Sequence, residues 1–355
     1  MLDLLAEELG TSGRTLRRAA DRGLIRAERP SERKLRLPAS EATYVRTHWP
    51  LLRDLLDALR TQPNVRLAVL FGSTARGDDS QSSDLDVLVD LRQDDPFERA
   101  KVVHALEAAS DRGVQLVSRA QAEEAPLLLA DVVSEGRVLV DREREWPRLQ
   151  RRRRQVERRA SEEDLRLSAL AWTAPEALER SRGRSLARDS THGSGASQDR
   201  RQLPRPIKVR LADTRRHYAA LVHLLGRTTR SEFVRAARLD DPASITTHVY
   251  PLERGFEILS NYVAELNEFG LREAGVAPGD RPTNVRLLVG ENVISKVRAQ
   301  TWRGILGARN ELQHEYPDVR AGGIYDAAAA LCDDLPGYLR DYVQWMRRLG
   351  FGGEA

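Results

Sequence analysis

The residues of this chain most able to do chemistry fall in two short runs. In the first, Phe71-Gly72-Ser73 is followed, ten residues later, by Asp84-Leu85-Asp86. Alternate residues of a strand point to the same face about 6 to 7 Å apart, so Asp84 and Asp86 can share a divalent cation while Leu85 packs inward. A glycine and a serine at the turn after a strand let backbone N–H groups and a hydroxyl approach phosphate oxygens. Two carboxylates on Mg2+ beside such a cradle are the apparatus of nucleotidyl transfer from a triphosphate. The cation neutralises charge, aligns the α-phosphate and lowers the pKa of an attacking hydroxyl. The plainer alternative is two solvated aspartates in a loop. The second run is Arg309-Asn310-Glu311-Leu312-Gln313-His314-Glu315-Tyr316-Pro317. Its loose form, an arginine four to six residues before a histidine, is also met by Arg99 with His104 and by Arg216 with His223. Only the Arg309 copy combines a polar residue after the arginine, a late place in a helical segment and a tyrosine two places beyond the histidine. Its plainer reading is Arg309 paired with Glu315, with His314 an ordinary helix-end residue.

The elements that must position these runs follow from hydrophobic rhythm. Residues 64–141 alternate strands and helices: Arg66–Phe71 and Leu85–Asp90 are rich in branched residues, Phe97–Ala109 is helical, and Gly113–Val117 and Arg137–Asp141 are short strands. This is a small α/β domain. Residues 1–38 read as helix, turn, helix and then two strand-like pieces around a Pro-Ser turn, the outline of a winged helix, and 39–63 as a connecting helix. Ser12, Arg14, Thr15, Arg17 and Arg18 fall where a recognition helix meets DNA. The alternative is a helical hairpin that only packs on its neighbour. Residues 142–180 read as a basic helical extension containing Arg151-Arg-Arg-Arg154, and 181–203 as a Ser, Gly and Arg-rich flexible linker, where a domain boundary is expected. From 204 to 355, helical periods at 207–225, 229–239, 251–269, 291–314 and 325–349 predict an all-α bundle.

Composition narrows the class. At 355 residues, 41% hydrophobic and 31% charged, the chain suits two or three folded domains and excludes a disordered one. The single cysteine, Cys332, excludes an internal disulfide or a multi-cysteine zinc site and suggests a reducing compartment. No run approaches the roughly 18 apolar residues of a membrane span, and the N-terminus lacks the order of a signal peptide, so a cytoplasmic protein is expected. The net charge of +4 hides a gradient: residues 142–203 hold 16 Lys+Arg against 10 Asp+Glu, while 1–141 hold 20 against 24.

Glycine, serine and both aspartates at this spacing between predicted strands closely resemble the minimal nucleotidyltransferase family of the polymerase-β-like superfamily. One departure stands out. The resemblance implies a third carboxylate on the next strand, and the aligned stretch is Val114-Gln115-Leu116; a neutral amide is no base and a poor ligand for a hard cation. Asp90, Asp111 or a carboxylate from elsewhere in the chain could replace it. The helical second half with Arg309-Asn310, His314 and Tyr316 resembles the HEPN ribonucleases, which dimerise so that two copies form one cleft. That resemblance implies metal-independent RNA cleavage to 2′,3′-cyclic phosphates. His314 would act as general acid or base on a 2′-hydroxyl, Arg309 would stabilise the phosphorane and Asn310 would orient the phosphate.

Together the two halves resemble a HEPN and nucleotidyltransferase toxin–antitoxin pair in one chain, preceded by a MerR-like winged helix. The implied function is transfer of AMP from ATP to Tyr316, which silences the RNase. The partners implied are an RNA substrate, ATP, the operon's promoter DNA, a second HEPN copy and a HEPN–nucleotidyltransferase complex, with no membrane. Two other readings stand beside it. One is a non-catalytic cap over the RNase, and the other is a nucleotidyltransferase acting on small molecules, similar to aminoglycoside-modifying enzymes.

Overall fold

A computed structural model describes residues 2–31, 34–80, 83–181, 201–239, 241–313 and 321–352. The chain divides into two compact units, Met1–Glu163 and Asp164–Ala355.

The first unit opens with α1 (Leu2–Glu8) and α2 (Gly13–Arg22), followed by an antiparallel hairpin of β1 (Glu28–Ser31) and β2 (Lys34–Arg36). Ser12 caps α2 by accepting the Thr15 N–H at 3.1 Å, and Gly23 ends it at φ 84°, a left-handed conformation that costs glycine little. The long helix α3 (Ala39–Arg60) leads into β3 (Val65–Phe71), α4 (Gly72–Arg76) and β4 (Leu85–Leu91). Then come α5 (Pro96–Ser110), β5 (Val114–Ser118), α6 (Arg119–Glu124), α7 (Pro126–Glu135), β6 (Arg137–Asp141), α8 (Glu145–Arg151) and the start of α9 (Arg153–Trp172). The four-stranded sheet runs β5-β4-β3-β6, with β3 antiparallel to both neighbours and β4 parallel to β5.

Strand alternation builds a core on each face of this sheet. Ala68, Leu70, Leu85, Val87 and Val89 pack with Leu52, Leu55 and Leu59 of α3 and with Leu106 of α5. Leu67, Val69, Phe71 and Leu88 pack on the other face with Leu129, Val132 and Val133 of α7 and with Leu149 of α8. Asp86 has the parity of Leu88, and so belongs to the second face. The N-terminal elements are tied to the sheet by a buried ion pair. Arg137 and Glu41, 1% and 5% exposed, bond at 2.6 and 3.0 Å, and the same guanidinium donates to the Ala75 and Leu24 carbonyls.

The second unit comprises the rest of α9 with α10 (Ala174–Ser181), α11 (Arg205–Arg227), α12 (Arg230–Arg238) and the short α13 (Pro242–Ser244). A π-helical turn (Ile245–Val249) leads into α14 (Tyr250–Glu273), then α15 (Arg281–Gly290), α16 (Lys296–Gln313) and α17 (Ala321–Arg348). Its core is aromatic as well as aliphatic: Tyr218, Phe233, Phe256, Trp302, Tyr338, Tyr342 and Trp345 are all buried. Cys332 is buried there and forms no disulfide among the described residues. Among the described residues no helix is long and apolar enough to cross a membrane.

Two expectations shift. The helix expected over 291–314 begins only at Lys296, because α15 ends at Gly290 and Asn292 adopts φ 53°. The division between units falls within α9 rather than at 181–203. Leu167, Ala171, Ala174, Leu178 and Leu203 are buried, and all but Leu167 pack directly into the helical core, which draws residues 164–181 and 201–203 into the second unit. Residues 182–200 of the expected linker lie outside the described residues.

Candidate functional site

The sheet register carries the first site. Phe71, the last residue of β3, pairs with Asp86 of β4, and Asp86 pairs in turn with Gln115 of β5. Gly72 follows at φ 73° as α4 begins, and a Cβ on it would collide with Asp86 Oδ2. Glycine is required here on two counts, conformation and space. Gly113 leaves room for Asp84 on the second count alone, since Asp84 Oδ1 occupies the volume a side chain would take. Asp84 is exposed and Asp86 half-buried. Burial pushes the Asp86 carboxyl above its ordinary range, Asp84 pushes it further, and Arg76 pulls it partly back.

Gly72, Ser73, Asp84 and Asp86 therefore meet at one end of the β3–β4 pair, with Gln115 level with Asp86. This donor set fits Mg2+, which takes one or two protein carboxylates and completes its shell with water and substrate phosphates. No third acid joins them, since among the described residues no three His, Cys, Asp or Glu side chains cluster to hold a metal. Asp90 does not fill the gap. It is buried further along β4 in ion pairs with Arg66 at 2.6 Å and Arg119 at 3.0 Å. Asp111 ends α5 in a left-handed conformation, φ 53°.

A polar clamp that sequence reasoning missed holds the α4–β4 connection. Asp79 accepts from His48 Nε2 and from Arg112 Nη1, both at 2.9 Å, and these partners outweigh burial to hold its carboxyl below the usual range. Arg112 also donates to the Ser83 carbonyl at 2.7 Å and to Thr74 Oγ1 at 3.2 Å. His48 stacks on Tyr44, whose hydroxyl donates to the Thr74 carbonyl at 3.0 Å. These bonds tie Thr74 of α4, Asp79 and Ser83 to α3 and to Arg112. No local pattern announces them, because the partners are dispersed along the chain.

Gly72→Ala is accordingly expected to cost roughly 1–2 kcal/mol through its left-handed backbone alone. Addition of ATP with Mg2+ is expected to raise the melting temperature of the parent chain but not of this variant, because a ligand that binds the folded state stabilises it. A thermal-shift titration reads both effects.

The second site is seen in part. Arg309 lies on α16, 8% exposed. Burial lowers its pKa, Arg281 lowers it further and Glu257 opposes them, so a second arginine and a carboxylate stand near it. Arg281 donates to Asn261 Oδ1 at 3.2 Å. Asn310 is in the same helix, while His314 and Tyr316 lie outside the described residues. The rival copies of the pattern are engaged elsewhere, Arg99 with Asp94 and Arg216 with Asp213. On α2, Arg14, Thr15, Arg17 and Arg18 are exposed beside the capping residue Ser12.

Comparison with known proteins gives two family matches. Residues 53–145 match the family model described as Polymerase beta, Nucleotidyltransferase. Residues 232–341 match that described as Ribonuclease HepT-like. The first unit thus carries a nucleotidyltransferase domain of the polymerase-β family, and the chain joins it to a HepT-like, or HEPN, helical domain. Both are families of enzymes. Among solved structures, a toxin–antitoxin crystallised with AMP-PNP is 24% identical, with 32% of this chain and 90% of that one covered and a TM-score of 0.28. A toxin–antitoxin MntA–HpeT mutant is 23% identical over the same shares, also with a TM-score of 0.28. No curated protein matches the chain.

Proposed function

We propose that this chain is a toxin–antitoxin protein. Its nucleotidyltransferase half transfers AMP from ATP to Tyr316, and so silences a metal-independent endoribonuclease carried by the HEPN half. The observation that supports this most is the close approach of Gly72 to the Asp86 carboxylate, with Asp84 beside it. Two acids are held together at the start of a helix with no ion pair from the described residues. That arrangement costs the fold stability, and it gains a purpose when a cation and phosphates arrive.

Asp84 and Asp86 would hold Mg2+, which when bound neutralises phosphate charge. Backbone N–H groups at Gly72 and Ser73, with the Ser73 hydroxyl, orient the phosphates. The Tyr316 oxygen attacks the α-phosphorus, the bond to the bridging oxygen of the β-phosphate breaks, pyrophosphate leaves and the phenolic proton is released. The resulting ester places bulk and negative charge beside Arg309 and His314, where an RNA phosphate must bind. Without AMP, His314 serves as acid or base on the 2′-hydroxyl, Arg309 stabilises the phosphorane and Asn310 orients the phosphate. Two HEPN copies would form the cleft. Residues 1–38 would bind promoter DNA through the exposed face of α2, with Ser12 and Thr15 at its start and Arg14, Arg17 and Arg18 along it.

Gln115 and the missing third acid favour one rival, a non-catalytic antitoxin that covers the RNase cleft. Tyr316→Phe separates the two. Transfer predicts that this variant takes no label from ATP carrying radioactive α-phosphate and that its RNase stays active in the presence of ATP. A cap predicts an RNase as quiet as the parent's.

A further inference from the structure

A cleft of about 1060 Å³ opens beside β6, the edge strand of the sheet. Six arginines line it: Arg22 at the end of α2, Arg60 at the end of α3, Arg142 and Arg144 between β6 and α8, and Arg148 and Arg151 on α8. Two acids share the wall, and both are engaged. Asp21 pairs with Arg29, and the Asp141 carboxylate caps α8 by accepting the Glu145 and Trp146 N–H groups at 2.8 and 3.2 Å. Arg60 and Arg148 pair with Asp57 and Glu145. Arg142 donates to the carbonyls of Gln62 and Leu59, neutral groups that leave its charge uncompensated. Arg22, Arg144 and Arg151 are exposed and have no hydrogen-bond or ion-pair partner among the described residues. The cleft is strongly electropositive.

It does not stand alone. Arg14, Arg18 and Arg22 recur every four residues on α2, so they form one stripe along its exposed face, about 12 Å long at 1.5 Å per residue. The stripe ends in the cleft at Arg22. A track of this length exceeds one small anion and suits a polymer of phosphates. Single-stranded nucleic acid is gripped by exposed aromatic faces. Trp146, the one aromatic lining the cleft among the described residues, is partly buried beside Gly23.

We propose that the β6 cleft binds backbone phosphates of duplex DNA, extending the contact of α2 beyond its helix face. The inference rests on the reading that α2 faces DNA. It adds a second, sequence-independent contact made by the nucleotidyltransferase domain itself, through Arg144 and Arg151 above all.

The test uses the full chain and a fluorescent mixed-sequence DNA duplex, with anisotropy titrations over a range of salt concentrations. Each phosphate contact contributes about 0.9 to the slope of log affinity against log salt. Arg144→Gln with Arg151→Gln should therefore lower the slope by roughly two and weaken binding about tenfold or more at low salt. Arg14→Gln with Arg18→Gln should weaken it separately. If the α2 variant loses affinity and the cleft variant binds like the parent, the cleft inference is wrong and the DNA reading stands. If the parent chain binds no duplex, both fall. Cleft-dependent binding of single-stranded RNA in preference to duplex would also overturn the proposal. So would self-association of the cleft variant at unchanged DNA affinity, which would make the arginines guards of a free strand edge.

Discussion

With both carboxylates neutralised, as Asp84→Asn and Asp86→Asn together, AMP transfer is expected to fall by at least about 10³-fold, while the fold survives. The acids sit exposed and half-buried at the mouth of the site, and the amides keep their shape. On the proposed function they would lose the charge that could hold Mg2+ against the triphosphate, a contribution of several kcal/mol to the transition state, and each 1.36 kcal/mol is tenfold in rate. Neutralising Asp86 also removes a carboxyl raised by burial and by its neighbour, so the cation-free variant should melt no lower than the parent. In cells, the variant should free the RNase and arrest growth where the parent does not. Growth equal to the parent's, with transfer abolished in vitro, would favour the capping antitoxin.

Glu41→Ala carries the largest expected cost in stability. It leaves the Arg137 guanidinium, 1% exposed, without its counter-charge, and breaking a buried pair from one side costs about 3–5 kcal/mol. The damage spreads because this arginine is shared. It donates to the carbonyl of Ala75 in α4 and to that of Leu24, and it lies over the Tyr44 ring at 3.4 Å, while the Arg26 N–H donates to Glu41 at 2.9 Å. Loss of the pair should loosen the N-terminal helices and α4 together. Urea unfolding of the first unit's transition should report that loss. Glu41→Leu with Arg137→Met should recover much of it, since a well-packed apolar pair is often neutral in place of a buried ionic one. A double variant as unstable as Glu41→Ala would show that the pair's hydrogen bonds, not its charges, hold these elements.

The acids and the glycine were legible in the sequence because the motif is local: strand alternation places Asp84 and Asp86 on one face, and the turn needs Gly72. The departure at Gln115 was legible for the same reason, and the register sets it level with Asp86. Contacts between distant residues were not. Glu41 and Arg137 stand 96 positions apart, and each reads alone as an ordinary charged residue of a helix or strand. The same holds for Asp90, which looked free to serve the site and is locked between Arg66 and Arg119. The break before α16 did leave a signal. Gly290 and Asn292 are residues that commonly end helices, but the apolar period running past them obscured it. Arg281 beside Arg309 left none, since their proximity comes from the packing of α14, α15 and α16.

Self-modification of the chain, as proposed, would be read from the intact mass of the purified protein before and after incubation with ATP and Mg2+. A gain in whole AMP units is expected, or such units already present from the expression host, mapped by fragmentation to Tyr316. An unmodified chain whose mass does not change would contradict it, leaving the nucleotidyltransferase half as a binding module over the RNase.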